Sequence, residues 1–376
     1  MKFRLEGQSG RARAGVLETP HGRIETPTFM CVATFGAVRG VGPDDLAGIG
    51  AQILLANTYH LHERPGEDIV KNQGGLHGFT GWRGPWLTDS GGFQVSSLGK
   101  RAALSEEGIT FSSPLDGRRR LLTPEKAVSI QEDLGSDIAM VLDECRVPVP
   151  DASETGEATA RQIEEAMERS LRWAARAQRA RQQSGTALFG IVQGGISEAL
   201  RRRSASETVG IGFDGYAHGG LGLGEDRSQR VAMIAVGNES MPADAPRYLM
   251  GLGKPVDLLD GVAAGVDLFD CVVPTRNGRH GVLFTRSGRL MIKNARYKDD
   301  SRPPEPGCDC PTCSRHSRAY LRHLIRIDEA LGARLATLHN LRFYLRLLED
   351  TRAAILAGTL EDLRGEIEAT SGHRDD

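Results

Sequence analysis

Short apolar or β-branched runs recur along the chain, separated by stretches in which apolar residues return at helical spacing. Eight runs read as strands: 52–57 (QILLAN), 86–88 (WLT), 109–111 (ITF), 138–142 (IAMVL), 187–192 (ALFGIV), 213–217 (FDGYA), 247–250 (RYLM) and 266–269 (VDLF). Between them, Thr123 to Leu134 opens with Thr-Pro, an N-cap followed by the one helical position where proline costs nothing. A second helix is predicted over 153–182, with Ile163, Met167, Leu171 and Ala174 on one face. Alternation of this kind predicts an α/β fold with a parallel sheet. Further on, Leu321, Leu324, Ile325, Leu331, Leu335 and Leu338 predict one long helix over roughly 315–348.

Polar or glycine-bearing residues stand just past the apolar part of most runs: Asn57, Asp89-Ser90, Asp143-Glu144, Gln193-Gly194, His218-Gly219-Gly220, Gly251 and Asp270. In a (β/α)8 barrel of the TIM type, strand C-termini share one rim, so these positions would converge on a single pocket. A doubly wound sheet would bring fewer strand ends to its crevice.

A chain of 376 residues is long enough for one such barrel plus an appended segment. The expected division is a catalytic barrel with a short N-terminal extension over 1–300, a zinc-binding helical subdomain over 301–350, and a C-terminal helix and tail over 351–376 packed on the same unit. The Pro-rich stretch 301–307 (SRPPEPG) is the expected joint. The first ten residues lack the apolar stretch of a secretory signal and no run of 18 apolar residues occurs, so a soluble, cytoplasmic protein with no membrane partner is expected.

The net charge of −2 excludes a globally basic protein but hides a local excess. Between Arg276 and Arg302, eight Lys/Arg face two acids, a local +6 that leaves −8 elsewhere. Phosphate contact is one reading of that segment and a solvated charged face the other. Glycine, 46 of 376 residues, is about 12 % against a usual ~7 %. Of the Gly-Gly pairs, 91–92, 194–195 and 219–220 follow predicted strands, where small residues let backbone approach a flat ligand.

Three of six cysteines crowd into Cys308-x-Cys310-x2-Cys313, a set of thiolates suited to tetrahedral zinc. His316, His323 and His339 are candidate fourth ligands, and spacing alone does not choose among them. Four protein ligands would leave no open position, which makes such a site structural.

Asp89, in TDSGGFQ, and Asp270, in LFDCVVPTRNGRHG, form a candidate pair for glycosyl transfer, one as nucleophile and one as general acid and then base. Each also suits the bland role of capping the loop or helix that comes after it. Asp143 and Gln193 can hydrogen-bond a purine edge, and Gly219-Gly220 can offer backbone N–H groups to a carbonyl. Phe93 and Met250 would supply apolar faces to a flat ring, or else belong to the core.

Together these motifs resemble the queuine/archaeosine tRNA-ribosyltransferases, specifically the bacterial-type tRNA-guanine transglycosylases. The resemblance runs through 54–79, TDSGGFQ, MVLDEC, FGIVQGG, GGLGLGE, YLMGLGKP, FDCVVPTRNGRHG, the cysteine cluster and ATLHNLRFY, nearly the whole chain. It implies that Asp270 is the nucleophile at C1′ of the target nucleotide and Asp89 the general acid/base. It further implies that Ser90, Gly91, Gly92, Asp143, Gln193, Gly220 and Leu221 recognise the base, and that Phe93 and Met250 sandwich it. Gly251, Leu252, Gly253, Lys254, Pro255, Val256 and Asp257 match one RNA-contacting loop, and Thr275, Arg276, Asn277, Gly278 and Arg279 another. His339, in its LHN context, becomes the fourth zinc ligand, giving one structural zinc per subunit.

The implied reaction is a pentosyl transfer of queuosine biosynthesis. Guanine leaves the anticodon wobble position of tRNAs with G-U-N anticodons and preQ1 enters, through a ribosyl-aspartate intermediate and without ATP or a redox cofactor. The implied partners are the tRNA anticodon stem-loop, guanine, preQ1 and a second subunit in a homodimer. Phe93 stands where many relatives have Tyr, and Gly222-Leu223 where many bacterial members have Ala-Val, beside the incoming base's 7-substituent. Queuine or preQ0 as incoming base, and deazapurine insertion into DNA, are the alternative expectations.

Overall fold

The computed structural model describes residues 1–96, 102–146, 156–182 and 185–371. Eight parallel strands close into a barrel: β1 (Thr28–Val32), β2 (Leu54–Asn57), β3 (Trp86–Asp89), β4 (Ile138–Met140), β5 (Ala187–Val192), β6 (Gly215–His218), β7 (Arg247–Leu249) and β8 (Leu268–Asp270). Closure comes from β8 pairing with β1, Leu268 against Thr28 and Asp270 against Met30. All six residues of β5 are buried, as expected of a strand covered on both faces. The TIM-type barrel is therefore the architecture of this chain.

Seven of the eight expected strands lie in the barrel, and one assignment is corrected. The run 109–111 belongs to Ile109–Ser112, the middle strand of a separate antiparallel sheet with Ala102–Leu104 and Arg119–Leu122. Its links to both neighbours are short, whereas parallel neighbours need a crossover of about a dozen residues or more. The missing barrel strand is β1, whose TFMCV run directly follows Pro27.

Three antiparallel N-terminal strands, Lys2–Ser9, Ala12–Thr19 and Gly22–Thr26, cover the end of the barrel where its strands begin. Leu17 and Ile24 share a core with Met30, Leu55, Leu87 and Leu268 of the barrel. Arg13 locks the sheet down, reaching both carboxylate oxygens of buried Asp267 at 3.2 and 2.7 Å, just ahead of β8.

The helix opening at Thr123 forms as expected, over Pro124–Asp133, with the Thr123 hydroxyl accepting from Lys126 N at 3.1 Å. The helix expected over 153–182 is found at Gly156–Ala180, while 153–155 lie outside the described residues. The single helix expected over 315–348 is instead two, Arg318–Arg326 and Ala330–Ala357. Asp328, at φ 56°, breaks them apart in a left-handed conformation that Asp adopts more readily than most residues. Gly332 then lets the second helix cross the first closely, since a Cβ there would sit 2.8 Å from Leu324 Cβ.

Ala330–Ala357 also packs against the barrel, with the Tyr344 and Phe29 rings 5.0 Å apart. Beyond it, Leu360–Ser371 is helical, and 372–376 of the expected C-terminal segment lie outside the described residues. No helix among the described residues is long and apolar enough to cross a membrane.

Candidate active site and metal centre

The strand register brings Asn57, at the end of β2, opposite Asp89, at the end of β3. Asn57 Oδ1 accepts from His60 N at 3.1 Å and so caps the helix Thr58–Glu63, which orients its amide to donate to Asp89 Oδ2 at 2.5 Å. Gln94 Nε2 donates to the same oxygen at 3.1 Å, while Thr58 N and Gly91 N each donate to Oδ1 at 3.1 Å. Despite these donors, burial pushes the Asp89 carboxyl up to about 7, and the negative charge of Asp270 adds to the rise. A carboxyl poised near neutrality can both give and take a proton.

Asp270 ends β8 and is held differently. Its Oδ1 accepts from the Tyr248 hydroxyl at 2.6 Å and from Gly251 N at 2.8 Å. Burial raises its pKa, while these two donors oppose the rise. Asp89 and Asp270 end β3 and β8, parallel barrel strands whose ends open on the same rim.

On the adjoining rim, Gln193 Nε2 donates to Asp143 Oδ2 at 2.6 Å, both residues being buried. Burial pushes Asp143 up to about 6, against the lowering effect of Gln193. The glycines here are dictated by space. A Cβ on Gly220 would lie 2.4 Å from Gln193 Oε1, and one on Gly91 (φ +80°) would lie 2.9 Å from Tyr59 Cβ. Ser90 is buried, its hydroxyl accepting from Gly92 N at 3.3 Å. Leu221 is buried, Met250 half-buried and Phe93 exposed. A cavity of about 280 Å³ adjoins this edge, lined by Gln193, Gly220, Leu223, Glu144 and Glu225 among others.

Both expected RNA-contacting loops continue directly from this centre. Lys254 and Arg276 are exposed, Gly251 is exposed, and Pro255, Val256, Asn277 and Arg279 are half-buried. Leu252, Gly253, Asp257, Thr275 and Gly278 are buried and tie the loops down. Asp257 pairs with Arg230 at 3.1 Å, and the Tyr344 hydroxyl donates to the Gly253 carbonyl. Arg279 has its pKa lowered by burial and by the nearby charges of Arg39 and Arg276, a local concentration of cations.

Cys308, Cys310, Cys313 and His339 are all buried and form one group able to hold a metal ion. Their sulfurs lie 3.8, 3.6 and 3.3 Å from His339 Nδ1. Tetrahedral zinc with its usual bond lengths would separate sulfur and nitrogen ligands by about 3.6 Å. The opposite ring nitrogen, Nε2, lies 2.8 Å from the Phe284 carbonyl; donating there leaves Nδ1 free to face the thiols. His316 instead stacks on Tyr320, with ring centroids 5.2 Å apart, so the fold resolves the three-way choice of histidine.

Residues 8–372 match the family described as Queuine tRNA-ribosyltransferase. The chain belongs to this family. Among similar proteins, the Queuine tRNA-ribosyltransferase of a Thermus thermophilus strain is 52% identical over 365 residues, spanning 97% of this chain and 93% of that protein. Those of Marinobacter nauticus and Thiobacillus denitrificans are 50% and 51% identical, each covering at least 98% of both chains.

Two residues that shape this candidate site escape sequence reasoning. Tyr248 reads as an ordinary strand residue, and only the pairing of β7 with β8 brings its hydroxyl to Asp270. Arg201 lies in a helix with alternating charges, yet it is fully buried and donates to the carbonyls of Val192, Gly195 and Gly219. It thereby fastens the strand ends that carry Gln193 and Gly220. Conversely, His218 turns away from the rim, is buried, and lies with Nε2 2.9 Å from Asn238 Oδ1.

Proposed function

We propose that this protein is a tRNA-guanine transglycosylase that replaces guanine at the anticodon wobble position of G-U-N tRNAs with preQ1. The observation that carries this reading is the pair of strand-end carboxylates held in different environments. Asp270 is fixed by Tyr248 and Gly251, and Asp89 is pushed up to about 7. A carboxylate oxygen of Asp270 attacks C1′ of the flipped nucleotide, the N-glycosidic bond breaks, and Asp89 delivers the proton that guanine takes with it. PreQ1 then yields its ring proton to Asp89 as its nitrogen attacks C1′ and displaces Asp270. Two displacements retain the configuration at C1′. One N-glycosidic bond replaces another, so the chemistry needs neither ATP nor a redox cofactor.

In this reading Asp143 and Gln193, with the backbone at Ser90 to Gly92, Gly220 and Leu221, bind the Watson–Crick side and carbonyl of the base. Phe93 and Met250 cover its faces. The loops 251–257 and 275–279 hold the RNA, supported by the cations Lys254, Arg276 and Arg279. Residues 1–300 act as the catalytic barrel, and 301–350 form a subdomain in which Cys308, Cys310, Cys313 and His339 hold one structural zinc. The C-terminal helix packs on the same unit. A homodimer working in the cytoplasm completes the proposal.

The test is incubation of the protein with an unmodified tRNA bearing a G-U-N anticodon and labelled guanine. Label entering the tRNA, and chased out by preQ1, is the expected result. No incorporation by zinc-loaded protein overturns the reading, and incorporation into DNA alone assigns a different polymer. An RNA adduct that resists denaturation and disappears in Asp270→Ala identifies the nucleophile.

A further inference from the structure

Two histidines and an aspartate meet at the end of the barrel where the strands begin, opposite the rim that carries Asp89 and Asp270. Asp137 stands directly ahead of β4, and its Oδ2 accepts from the N–H of Trp86, the first residue of β3, at 2.9 Å. His21 comes from the turn between the N-terminal strands Ala12–Thr19 and Gly22–Thr26, and its backbone N–H donates to Asp137 Oδ1 at 3.3 Å. His77 comes from the helix Gly75–Thr80, which is held to the segment before β4 because Leu76 N donates to the Leu134 carbonyl at 2.8 Å. Gly75 permits that approach, since at φ +70° a Cβ would lie 3.0 Å from the same carbonyl oxygen. All three side chains therefore start from backbone that is fixed in place.

The cluster is short of positive charge and of one hydrogen bond. Asp137 is buried, and among the described residues no Lys or Arg pairs with it; its side-chain partners are the two imidazoles. A buried carboxylate without a cation is costly. His77 Nε2 is buried and lies 3.3 Å from Asp137 Oδ2, yet it is aligned for a hydrogen bond neither with that oxygen nor with any other described group. His21 Nδ1 lies 2.9 Å from the other carboxylate oxygen, Oδ1, and the three residues offer ligand atoms that are all within 4.8 Å of one another. Tetrahedral zinc with its usual bond lengths would set nitrogen and oxygen ligands about 3.3 Å apart, close to the spacing found. A divalent cation there would neutralise the carboxylate and take the lone pair of His77.

We propose that His21, His77 and Asp137 form a second metal site, which takes a divalent cation such as zinc and clips the N-terminal sheet to the start of the barrel. Imidazole with carboxylate suits such a cation. The rings of His21 and His77 stack with centroids 3.5 Å apart, whereas a metal lies in the plane of the imidazole that binds it. His21, exposed on its turn, swings out of the stack as the ion enters. With no thiolate and three protein ligands in place of four, the site is weaker than the cysteine cluster and fills from added zinc. It joins segments distant in the chain, so it acts on stability, whichever reaction the opposite rim carries out.

Equilibrium dialysis of the untagged, full-length protein against Zn2+, with bound metal counted by elemental analysis, tests this. Wild-type protein is expected to take up one equivalent beyond the one its cysteines hold, and its melting temperature is expected to rise with added zinc. His21→Ala and His77→Ala are each expected to lose that further equivalent and the rise. His323→Ala, an exposed histidine on the helix Arg318–Arg326, is expected to keep both. Melting temperatures without added zinc show whether each variant is folded, and His21→Ala, changed only on an exposed turn, carries the test alone if His77→Ala is not. The deciding quantity is the difference in bound zinc between wild type and His21→Ala at the same free zinc, which occupancy of the cysteine cluster does not affect. A difference of one equivalent sustains the proposal. Equal zinc in the two proteins overturns it, whether because wild type takes up no further zinc or because another surface histidine holds it.

Discussion

Tyr248 donates its hydroxyl to Asp270 Oδ1 at 2.6 Å from a fully buried position between two barrel strands. This bond favours the ionised carboxylate, which burial alone disfavours. In Tyr248→Phe the ring still fills its space, but the opposing donor is gone and the Asp270 pKa rises further. The acid limb of adduct formation is therefore expected to move to higher pH, with a rate at pH 7 reduced roughly tenfold, the scale of a lost hydrogen bond to a charged group. A pH–rate profile of the RNA adduct checks this, and an unmoved limb refutes it.

Asp89 ties pH to stability. Its folded-state value of about 7 exceeds the ordinary carboxyl value, so the folded state holds a proton that the unfolded chain has released. The stability cost is absent below about pH 4 and complete above about pH 7. Asp89→Asn is expected to remove this contribution, so that melting temperature declines less between pH 5 and pH 8 than in wild type. Asp270→Asn removes a neighbouring negative charge and should lower the Asp89 pKa, which carboxyl-labelled NMR can read directly.

Base recognition should titrate as well. Asp143, pushed up to about 6, can accept through both oxygens from two donors of a purine edge only when ionised. Guanine affinity is expected to fall as pH drops through about 6. Gln193 opposes the rise, so in Gln193→Ala the fall should begin at higher pH. Calorimetric binding between pH 5 and pH 8 measures both, and a flat profile would remove Asp143 from the contact.

Gly91 is a steric requirement of the same site. At φ +80°, with Tyr59 atoms 2.9 and 3.0 Å from the place of a Cβ, alanine must displace backbone that also donates to Asp89. Gly91→Ala is expected to cost about 1–3 kcal/mol in denaturant unfolding and to lose most of the exchange activity.

The metal centre connects to the proposed RNA loops through a single residue. His339 contacts the Phe284 carbonyl through Nε2 and Asn340 Oδ1 accepts from Phe284 N, so the cysteine cluster fixes the strand Val282–Thr285, which follows the loop 275–279. Cys310→Ala is expected to lose zinc and lower the melting temperature by roughly 10 °C. RNA affinity should weaken in parallel. Full zinc occupancy in this variant, read by elemental analysis, would contradict the ligand set.

By itself the sequence determined the α/β alternation, seven of eight barrel strands, the strand-end positions of Asp89, Asp143, Gln193 and Asp270, and the cysteine cluster. These are local facts: a buried parallel strand is an apolar run, and the polar residue after its last apolar position stands at the rim. The run 109–111 misled because a short apolar triplet reads the same in a barrel and in a hairpin, and only link length separates the two.

Only the tertiary structure decided the features that depend on partners distant in the chain. His339 rather than His316 or His323 faces the thiols because a carbonyl 55 residues away takes its other nitrogen. Tyr248 and Asn57 become supports of two aspartates only through strand register, and the shift of Asp89 arises from burial and from a charge 181 positions away. Burial and Coulomb coupling act through space, and residue order along the chain does not encode those distances.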